Sequence, residues 1–193
     1  MSNEDRTRWN ARYAEGAFED RLHPSSVLVD WLSDLPSGLA LDVACGAGRN
    51  AIYLASNGFT VHAIDISRVA IERGAERARA LGLANIQFYE HDLEEHLPTI
   101  DRYDLIVMIR YVNAKLLRLL TDRLNPGGKL LVEEHLVWKD PVVGPTRARF
   151  RVEPGELGAA LHDLTIEREF EGLIRDPDGV DAAVARVLAV RDR

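Results

Sequence analysis

The chain lacks three features, and each absence narrows the class of protein. It has a single cysteine, Cys45, so no internal disulfide can form and a reducing, cytoplasmic location is expected. No apolar run approaches the ~20 residues that cross a bilayer, and the polar beginning, MSNEDRTRWN, lacks the apolar segment of a signal peptide. The net charge of -7 leaves no basic excess for nucleic acid. We therefore expect no membrane partner and no nucleic-acid partner.

What is present is the composition of an ordinary globular domain. Of the 193 residues, 46% are apolar and 28% are charged, which is typical of soluble domains. A chain of this length can bury one sizeable core. We expect one domain over residues 1–193, present as a monomer or homodimer.

Apolar segments alternate with helical segments along most of the chain. Two late apolar segments have no helix between them, which favours an antiparallel pair at one edge of the sheet. The pattern predicts an α/β fold: a Rossmann-like, doubly wound, seven-stranded and mostly parallel sheet with an antiparallel edge strand, in three α/β/α layers. The predicted strands are 39–43, 60–64, 86–89, 103–109, 129–136, 164–170 and 182–190.

Helices are expected before and between these strands. The first two would form an N-terminal helical cap over residues 1–36. A turn at 125–128 (NPGG) would precede the fifth strand. The segment 138–157 would be a substrate lid or a surface loop, with lid side chains from Trp138, Arg147, Arg149 and Phe150. The predicted helices cover 3–20, the residues after Ser25 or Ser26, 49–57, the stretch from the N-cap Ser67 to Leu81, and 112–124.

The most informative segment is 39–65, LALDVACGAGRNAIYLASNGFTVHAID. A strand carrying Asp42 leads into a turn with Gly46 and Gly48, and a helix and a second strand follow, ending at Asp65. Glycine has no Cβ, so the turn can be tight and its backbone can approach a ligand closely. A carboxylate just after the second strand is placed to accept hydrogen bonds from ribose hydroxyls. The segment predicts an adenosine-containing cofactor.

Two cofactor classes compete for this turn. The run GAGRNA at 46–51 satisfies the loose dinucleotide pattern G-x-G-x-x-A, with Asp65 near the expected offset of ~20 residues. That pattern would suit a nicotinamide-dependent oxidoreductase. Three features oppose it: Asp42 lies inside the end of the strand, the pair RN places bulk where a pyrophosphate needs bare N–H groups, and residues 1–38 precede the first strand.

The pattern Asp42-x-x-x-Gly46-x-Gly48, followed by Asp65 and by HDL at 91–93, resembles the class I S-adenosylmethionine-dependent methyltransferases over nearly the whole chain. In that family the glycine turn wraps the methionine part of the cofactor, the acid after the second strand holds the ribose, and an acidic patch after the third strand meets the adenine. The resemblance implies S-adenosylmethionine as cofactor and S-adenosylhomocysteine as product. The cofactor site that it implies consists of Asp42, Ala44, Gly46, Gly48, Arg49, Asp65, Ile66, Asp92, Leu93 and Ile109.

Each acid in this set also has a structural alternative. Asp65 could cap the helix that Ser67 begins. Asp42 could contact the amino end of the cofactor directly, contact it through water, or support the glycine turn. Asp92 could accept from the adenine amino group or begin an Asx turn. Arg49 could satisfy carbonyls or acids at the rim of the site.

A narrower similarity is to the branch containing tellurite-resistance and thiopurine-type methyltransferases. It is carried by the segment 41–67 and by FRVEPGEL at 150–157, which is similar to the F-L-L-x-P-G-E-L motif of small bacterial members. The chain has RYV at 110–112 where those relatives have Asn-Tyr-Leu, and EEH at 133–135 where they have Glu-Thr-Phe. Both departures lie on the rim where a substrate is predicted to bind. The similarity therefore does not identify the methyl acceptor of this chain.

The rim supplies the candidates for catalysis. Arg110 could hold an anionic acceptor or form a solvated surface pair, and Tyr111 follows it past the fourth strand. Glu134 and His135 are the candidate proton acceptors, with a structural role as the alternative for the histidine. Cys45 is expected to fill space beside the turn. No H-E-x-x-H spacing occurs, so no metal is predicted.

These expectations give one leading function and two alternatives. The leading function is an enzyme that transfers a methyl group from S-adenosylmethionine to a small-molecule acceptor by in-line displacement. Such a reaction needs mainly alignment of the reactants and exclusion of water, and a general base only if the nucleophile arrives protonated. The alternatives are a non-catalytic S-adenosylmethionine-binding regulatory module and a nicotinamide-dependent oxidoreductase.

Overall fold

The computed structural model describes residues 3–93 and 102–192. One sheet of seven strands runs through it. The strands are β1 (Leu39–Val43), β2 (Thr60–Asp65), β3 (Ile86–Glu90), β4 (Tyr103–Ile109), β5 (Leu124–His135), β6 (Thr165–Arg175) and β7 (Asp181–Val190). The α-helices are α1 (Asn3–Ala14), α2 (Ser26–Asp30), α3 (Arg49–Ser56), α4 (Arg68–Ala80), α5 (Ala114–Thr121) and α6 (Glu156–Ala160).

The strand order across the sheet is β3-β2-β1-β4-β5-β7-β6. Strands β1 to β5 run parallel to one another, and β7 runs antiparallel to both β5 and β6. The predicted doubly wound, mostly parallel sheet with an antiparallel pair at one edge is therefore confirmed. The antiparallel strand β7 lies one place in from the edge, and it is buried from Ala182 to Ala189, whereas the edge strand β6 is largely exposed.

Apolar side chains form a separate core cluster on each face of the sheet. Leu105 and Val107 of β4 enter the cluster beneath α2 and α3, whereas Ile106 and Met108 enter the cluster beneath α5 and α6. Strand β4 is thus buried on both faces, as its uninterrupted apolar sequence predicts. The two clusters produce the predicted three-layer arrangement. Within the described ranges, no helix is both long enough and apolar enough to cross a membrane.

Two helices are shorter than the sequence predicts. Helix α1 ends at Ala14 rather than at residue 20, because Gly16 and Phe18 both have positive φ, 86° and 60°, and turn the chain. Helix α5 begins at Ala114, because the Asn113 side chain caps it by accepting a hydrogen bond from Leu116 N at 2.9 Å. The predicted N-cap of α4 is confirmed, since Ser67 Oγ accepts from Ala70 N at 3.2 Å.

The predicted turn at 125–128 lies inside β5 and not before it. Pairing with β4 shifts there from Tyr103–Leu124 to Leu105–Lys129, as expected of a bulge. The chain beyond β7 keeps these residues in the sheet, because Gly127 N donates to Arg191 O at 2.8 Å and Arg191 N donates to Gly128 O at 2.9 Å. A composition typical of a turn is thus compatible with a strand when a neighbouring segment supplies the hydrogen bonds.

Phe88 packs against glycine in helix α4, and this contact generates a prediction. A Cβ built at Gly74 would lie 2.6 Å from Phe88 Cε1 and 3.1 Å from Ala47 O. Gly74→Ala should therefore lower the free energy of unfolding by about 1–3 kcal/mol through overpacking, although alanine forms helix better by about 1 kcal/mol. Urea denaturation measures the change. In the double variant with Phe88→Leu the two losses should not add, and simple additivity would contradict the proposed clash.

Candidate functional site

The turn after β1 has a left-handed backbone at three positions. Ala44, Gly46 and Gly48 have φ of 54°, 56° and 75°. A Cβ at Gly46 would collide with the Tyr13 hydroxyl, and one at Gly48 would lie 2.5 Å from Phe88 Cε1. Both glycines are therefore required by backbone conformation and by close packing. The turn directs the chain into α3 at the carboxyl edge of the sheet.

The carboxylate of Asp65 ties this turn to the next helix. Its Oδ2 accepts from Gly46 N at 2.9 Å, and its Oδ1 accepts from Ser67 N at 2.8 Å. Burial raises the pKa of Asp65, while the N–H donors at Ser67, Gly46 and Ile66 act against that rise. Each carboxylate oxygen retains a lone pair for a further donor. The side chain therefore supports the turn and can also accept from a ligand.

A cavity of about 190 Å³ opens beside Asp65. Its wall has two parts, one from the turn after β1 and the end of β2, and the other from the end of β4. Residues of the N-terminal segment form a further part of the wall. The lining residues are Trp9, Tyr13, Phe18, Arg21, Ala44, Cys45, Gly46, Ala47, Arg49, Asn50, Asp65, Ile66, Ile109, Arg110 and Tyr111.

The N-terminal segment is attached to α4 by hydrogen bonds. Asn10 Oδ1 accepts from Ser67 Oγ at 2.9 Å, and Arg73 donates to Tyr13 O at 2.6 Å and to Ala17 O at 3.3 Å. Burial raises the pKa of the Tyr13 hydroxyl, and the negative charge of Asp65 adds to the rise, so this hydroxyl stays protonated. The cap therefore places a neutral phenol directly over the glycine turn.

Asp42 lies beneath the turn and is not among the residues that line the cavity. It is 1% exposed, and it accepts from the backbone N–H of Ala51 in α3. Its Oδ2 is buried and has no hydrogen-bond partner among the described residues. Burial raises the pKa of Asp42 to about 7. Among the three alternatives for Asp42, these contacts favour a role in supporting the glycine turn.

Arg49 connects the turn to the N-terminal cap. Its guanidinium donates to His23 O at 3.1 Å and to Ser25 Oγ at 3.0 Å, and it forms part of the cavity wall. Burial lowers the pKa of Arg49, and Asp176 is the carboxylate that acts most strongly against this. The acid Asp176 therefore lies on the same side of the molecule as the cavity.

Arg110 is held in a buried ion-pair network. Its Nε donates to Glu133 Oε1 at 2.8 Å and one terminal nitrogen donates to Asp176 Oδ2 at 3.2 Å, while the other lies 3.2 Å from His135 Nε2. Glu133 also accepts from Arg186 Nε at 2.7 Å. The side chain of Arg110 is only 13% exposed, so the alternative of a solvated surface pair is wrong. Two carboxylates already compensate the charge of Arg110.

The two candidate proton acceptors lie outside the cavity wall. Glu134 Oε1 accepts from Tyr111 N at 3.1 Å, and burial raises the pKa of this carboxyl well above its ordinary value. Burial, followed by the charge of Arg110, lowers the pKa of His135 to about 3. At neutral pH His135 is therefore uncharged, and its Nε2 accepts from Arg110 while its Nδ1 carries the hydrogen.

The segment 138–157 is fixed against the end of β5. Arg151 donates to Pro145 O at 2.9 Å and to Leu136 O at 2.8 Å, and Leu136 forms a bridge with Val152. Phe150 is 40% exposed beneath the guanidinium of Arg149. No residue of this segment is among those that line the described cavity. The surface-loop alternative fits these contacts better than the lid.

The structure brings together part of the predicted set. Of the predicted cofactor residues, Ala44, Gly46, Arg49, Asp65, Ile66 and Ile109 line the cavity, as do Arg110 and Tyr111. The predicted residues that do not line it are Asp42, Gly48, Asp92 and Leu93. Asp92 and Leu93 are buried, and the preceding residue, His91, donates its backbone N–H to Asp65 O at 2.8 Å. The sequence reading did not single out Trp9, Tyr13, Phe18, Arg21 or Asp176 for the site. For Trp9, Tyr13 and Phe18 the one available signal was the spacing of aromatic residues in the predicted helix 3–20.

Comparison with known proteins agrees with this geometry. Residues 40–128 match the family model described as a methyltransferase domain. A ubiquinone biosynthesis O-methyltransferase of Rickettsia felis is 26% identical over 159 residues, covering 71% of this chain and 64% of that protein. The match thus spans less than two thirds of the relative's length.

Solved structures share the fold. TehB from Haemophilus influenzae has a TM-score of 0.73 at 23% identity, covering 86% of this chain and 62% of that one. A SAM dependent methyltransferase from Aquifex aeolicus has a TM-score of 0.67 at 22% identity, covering 91% of this chain and 97% of that one. At these identities the likeness is one of fold.

The strand order and the glycine turn are those of a Rossmann-like fold, which the solved methyltransferase structures share. The match over residues 40–128 supports the resemblance to class I S-adenosylmethionine-dependent methyltransferases that the sequence predicts.

The buried Asp42 generates a prediction about stability and pH. Its pKa is about 7 in the folded chain and about 3.9 in an unfolded one, so the folded state binds the proton more tightly. The resulting stabilisation is fully present below about pH 4 and is lost as the pH rises through 7. Between pH 5 and pH 8 the wild type should lose about 2–3 kcal/mol more unfolding free energy than Asp42→Asn. Urea denaturation at both pH values tests this, and parallel losses in the two proteins would contradict it.

Proposed function

We propose that this chain transfers a methyl group from S-adenosylmethionine to a small-molecule acceptor. The observation that carries the proposal is that one cavity is lined both by the glycine turn with Asp65 and by the end of β4 at Ile109–Tyr111. In open α/β sheets, ligands bind outside the carboxyl ends of the strands. A cofactor on the first wall and an acceptor on the second would therefore meet within the same cavity.

The residues on the first wall fit the cofactor chemically. Asp65 has carboxylate lone pairs left for two ribose hydroxyls after its bonds to Gly46 N and Ser67 N. Hydrogen bonds to a charged group contribute roughly 1.5–3 kcal/mol each. Gly46 presents bare backbone to the cavity, where any side chain would occupy the space of the ligand or of Tyr13. Asp92 and Leu93 would receive the adenine.

The protein needs to align the two reactants and to exclude water more than it needs to transfer a proton. When bound, the cofactor supplies a methyl group on a positively charged sulfur that is already an activated leaving group. Trp9, Tyr13 and Phe18 line part of the cavity with aromatic surface, which would reduce the contact of the reacting atoms with water. Holding two reactants in line can contribute several orders of magnitude in rate. The proposed in-line displacement is compatible with a site that has no catalytic dyad.

The curated relative supports a small acceptor. Its name assigns it to ubiquinone biosynthesis as an O-methyltransferase, and an oxygen nucleophile on a small molecule is therefore a reasonable first class to test here. The cytoplasmic location and the monomeric or homodimeric state expected from the sequence stay predictions.

A non-catalytic S-adenosylmethionine-binding module is the second candidate. The observation that favours it is that Arg110 is compensated by Glu133 and Asp176, while Glu134 and His135 stand outside the cavity wall. An enzyme should release S-adenosylhomocysteine when incubated with S-adenosylmethionine and a panel of phenols, amines, thiols and carboxylates. A module would bind the cofactor and release none.

Ligand-induced stabilisation tests the cofactor assignment. S-adenosylhomocysteine at about 100 times its dissociation constant adds roughly 2.7 kcal/mol, which for a domain of this size raises Tm by about 5–10 °C. NADH should produce no shift. Asp65→Asn should weaken S-adenosylhomocysteine at least about tenfold, because it removes the charge that strengthens the ribose bonds.

Glu90→Gln is the matched control, since Glu90 ends the neighbouring strand β3 and its side chain is 39% exposed. It should leave the affinity within about twofold, as expected for an exposed charge. An unchanged affinity in Asp65→Asn would refute the ribose assignment. A shift with NADH and none with S-adenosylhomocysteine would overturn the proposed function.

A further inference from the structure

Three arginines line the cavity, and they differ in how their charges are compensated. Arg110 forms an ion pair with Glu133 at 2.8 Å, and Arg21 forms one with Asp178 at 2.7 Å. The third, Arg49, forms no ion pair within the ranges 3–93 and 102–192 that the structure describes. Arg49 is therefore the lining arginine whose charge its described neighbours do not compensate at contact distance.

The guanidinium of Arg49 is bonded to uncharged oxygens. It donates to His23 O at 3.1 Å and to Ser25 Oγ at 3.0 Å. A guanidinium has five N–H donors, so these two bonds leave donors for a ligand. Burial lowers the pKa of Arg49, because a cation that is partly removed from water is costly unless an anion compensates it. Arg49 thus offers a charge and hydrogen-bond donors to an anion in the cavity.

The surroundings of Arg49 also favour an anion. The charges of Arg110 and Arg21 act at the same place, with Asp176 and Asp178 opposing them. Arg49 is the first residue of α3, and the N-cap before it is a glycine, so no side chain caps this end of the helix. The N-terminal end of a helix carries a partial positive charge. An anion beside Arg49 would be attracted by its guanidinium and by the start of α3 together.

The proposed cofactor carries one anionic group. In S-adenosylmethionine the amino-acid part ends in a carboxylate, and the sulfur lies between that part and the ribose. The proposed function assigns the ribose to Asp65, which accepts from Gly46 N in the glycine turn at 2.9 Å. Arg49 begins the helix that follows this turn, and it lines the same cavity as Asp65. A cofactor whose ribose contacts Asp65 therefore has its carboxylate end available for Arg49.

We propose that Arg49 binds the carboxylate at the amino-acid end of the cofactor. This inference rests on the proposed function, from which it takes the cofactor and the ribose contact. Pairs of arginine and carboxylate are frequently bidentate and are stronger than bonds between neutral groups. Asp65 and Arg49 would then hold the two ends of the cofactor, and the sulfur between them would be fixed in position.

The experiment compares two ligands that differ in the carboxylate alone. One is S-adenosylhomocysteine, and the other is its decarboxylated form, which keeps the adenosine, the sulfur and the amine. In calorimetric titration, Arg49→Gln should weaken S-adenosylhomocysteine by at least about tenfold. The same substitution should weaken the decarboxylated compound by no more than about twofold, because that ligand has no anion to lose. Glutamine removes the charge and can still donate to His23 O.

The matched control is Arg77→Gln. Arg77 donates to Leu22 O at 3.1 Å, so it holds the same N-terminal segment one residue before His23, and it is not among the residues that line the described cavity. The ratio of the two affinities should stay as in the wild type. Arg49→Lys keeps the positive charge but not the planar fork, and it should retain part of the preference for S-adenosylhomocysteine.

Each outcome decides between the proposals. If Arg49→Gln leaves the ratio unchanged, or if Arg77→Gln changes it equally, the role of Arg49 is overturned and the proposed function stands. If the wild type does not bind S-adenosylhomocysteine, the proposed function fails and this inference with it. If Arg49→Gln does not fold, the wild-type complex with S-adenosylhomocysteine decides. A carboxylate oxygen about 2.7–3.2 Å from a guanidinium nitrogen of Arg49 supports the proposal, and any other placement overturns it.

Discussion

The site depends on one carboxylate that holds two pieces of backbone together. Asp65 accepts from Gly46 N in the turn after β1 and from Ser67 N at the beginning of α4. Its backbone O also accepts from His91 N at the end of β3. Three neighbouring chain segments thus converge on one residue, and the cavity exists because that residue keeps them at a fixed spacing. A ligand that bonds to the same carboxylate would engage a group that is already immobile.

On the β4 side of the cavity, buried charges add to the backbone bond from Arg110 N to Glu133 O. Glu133 stands between Arg110 and Arg186, and Asp176 takes the remaining face of Arg110. Removing one member of such a buried set leaves an uncompensated charge, which costs roughly 3–5 kcal/mol. The network therefore keeps Arg110 in its left-handed backbone conformation, φ 63°, at the end of β4. The two walls of the cavity are rigid for different physical reasons.

The cap joins the two walls. The N-terminal segment is bound to α4 through Asn10 and Arg73 on one side, and to the turn between β6 and β7 through the Arg21–Asp178 pair on the other. Its aromatic side chains lie over the glycine turn. The residues that line the cavity therefore come from positions 9 to 111, and Asp178 holds one of them, Arg21, in an ion pair.

Much of this was determined by the sequence alone. The apolar strand of β4, the N-cap at Ser67 and the Asp42–Asp65 segment predict the sheet and the cofactor side, because period, capping and glycine conformation act over a few neighbouring residues. The bulge inside β5 and the early end of α1 escaped prediction, since they depend on hydrogen bonds from Arg191 and on two left-handed residues. The arrangement on the β4 side of the cavity was decided only by tertiary structure. Whether Arg110 is a free cation depends on Glu133, His135 and Asp176, which lie 23 to 66 residues further along the chain. Burial sets the protonation of such groups only after the fold has brought them together.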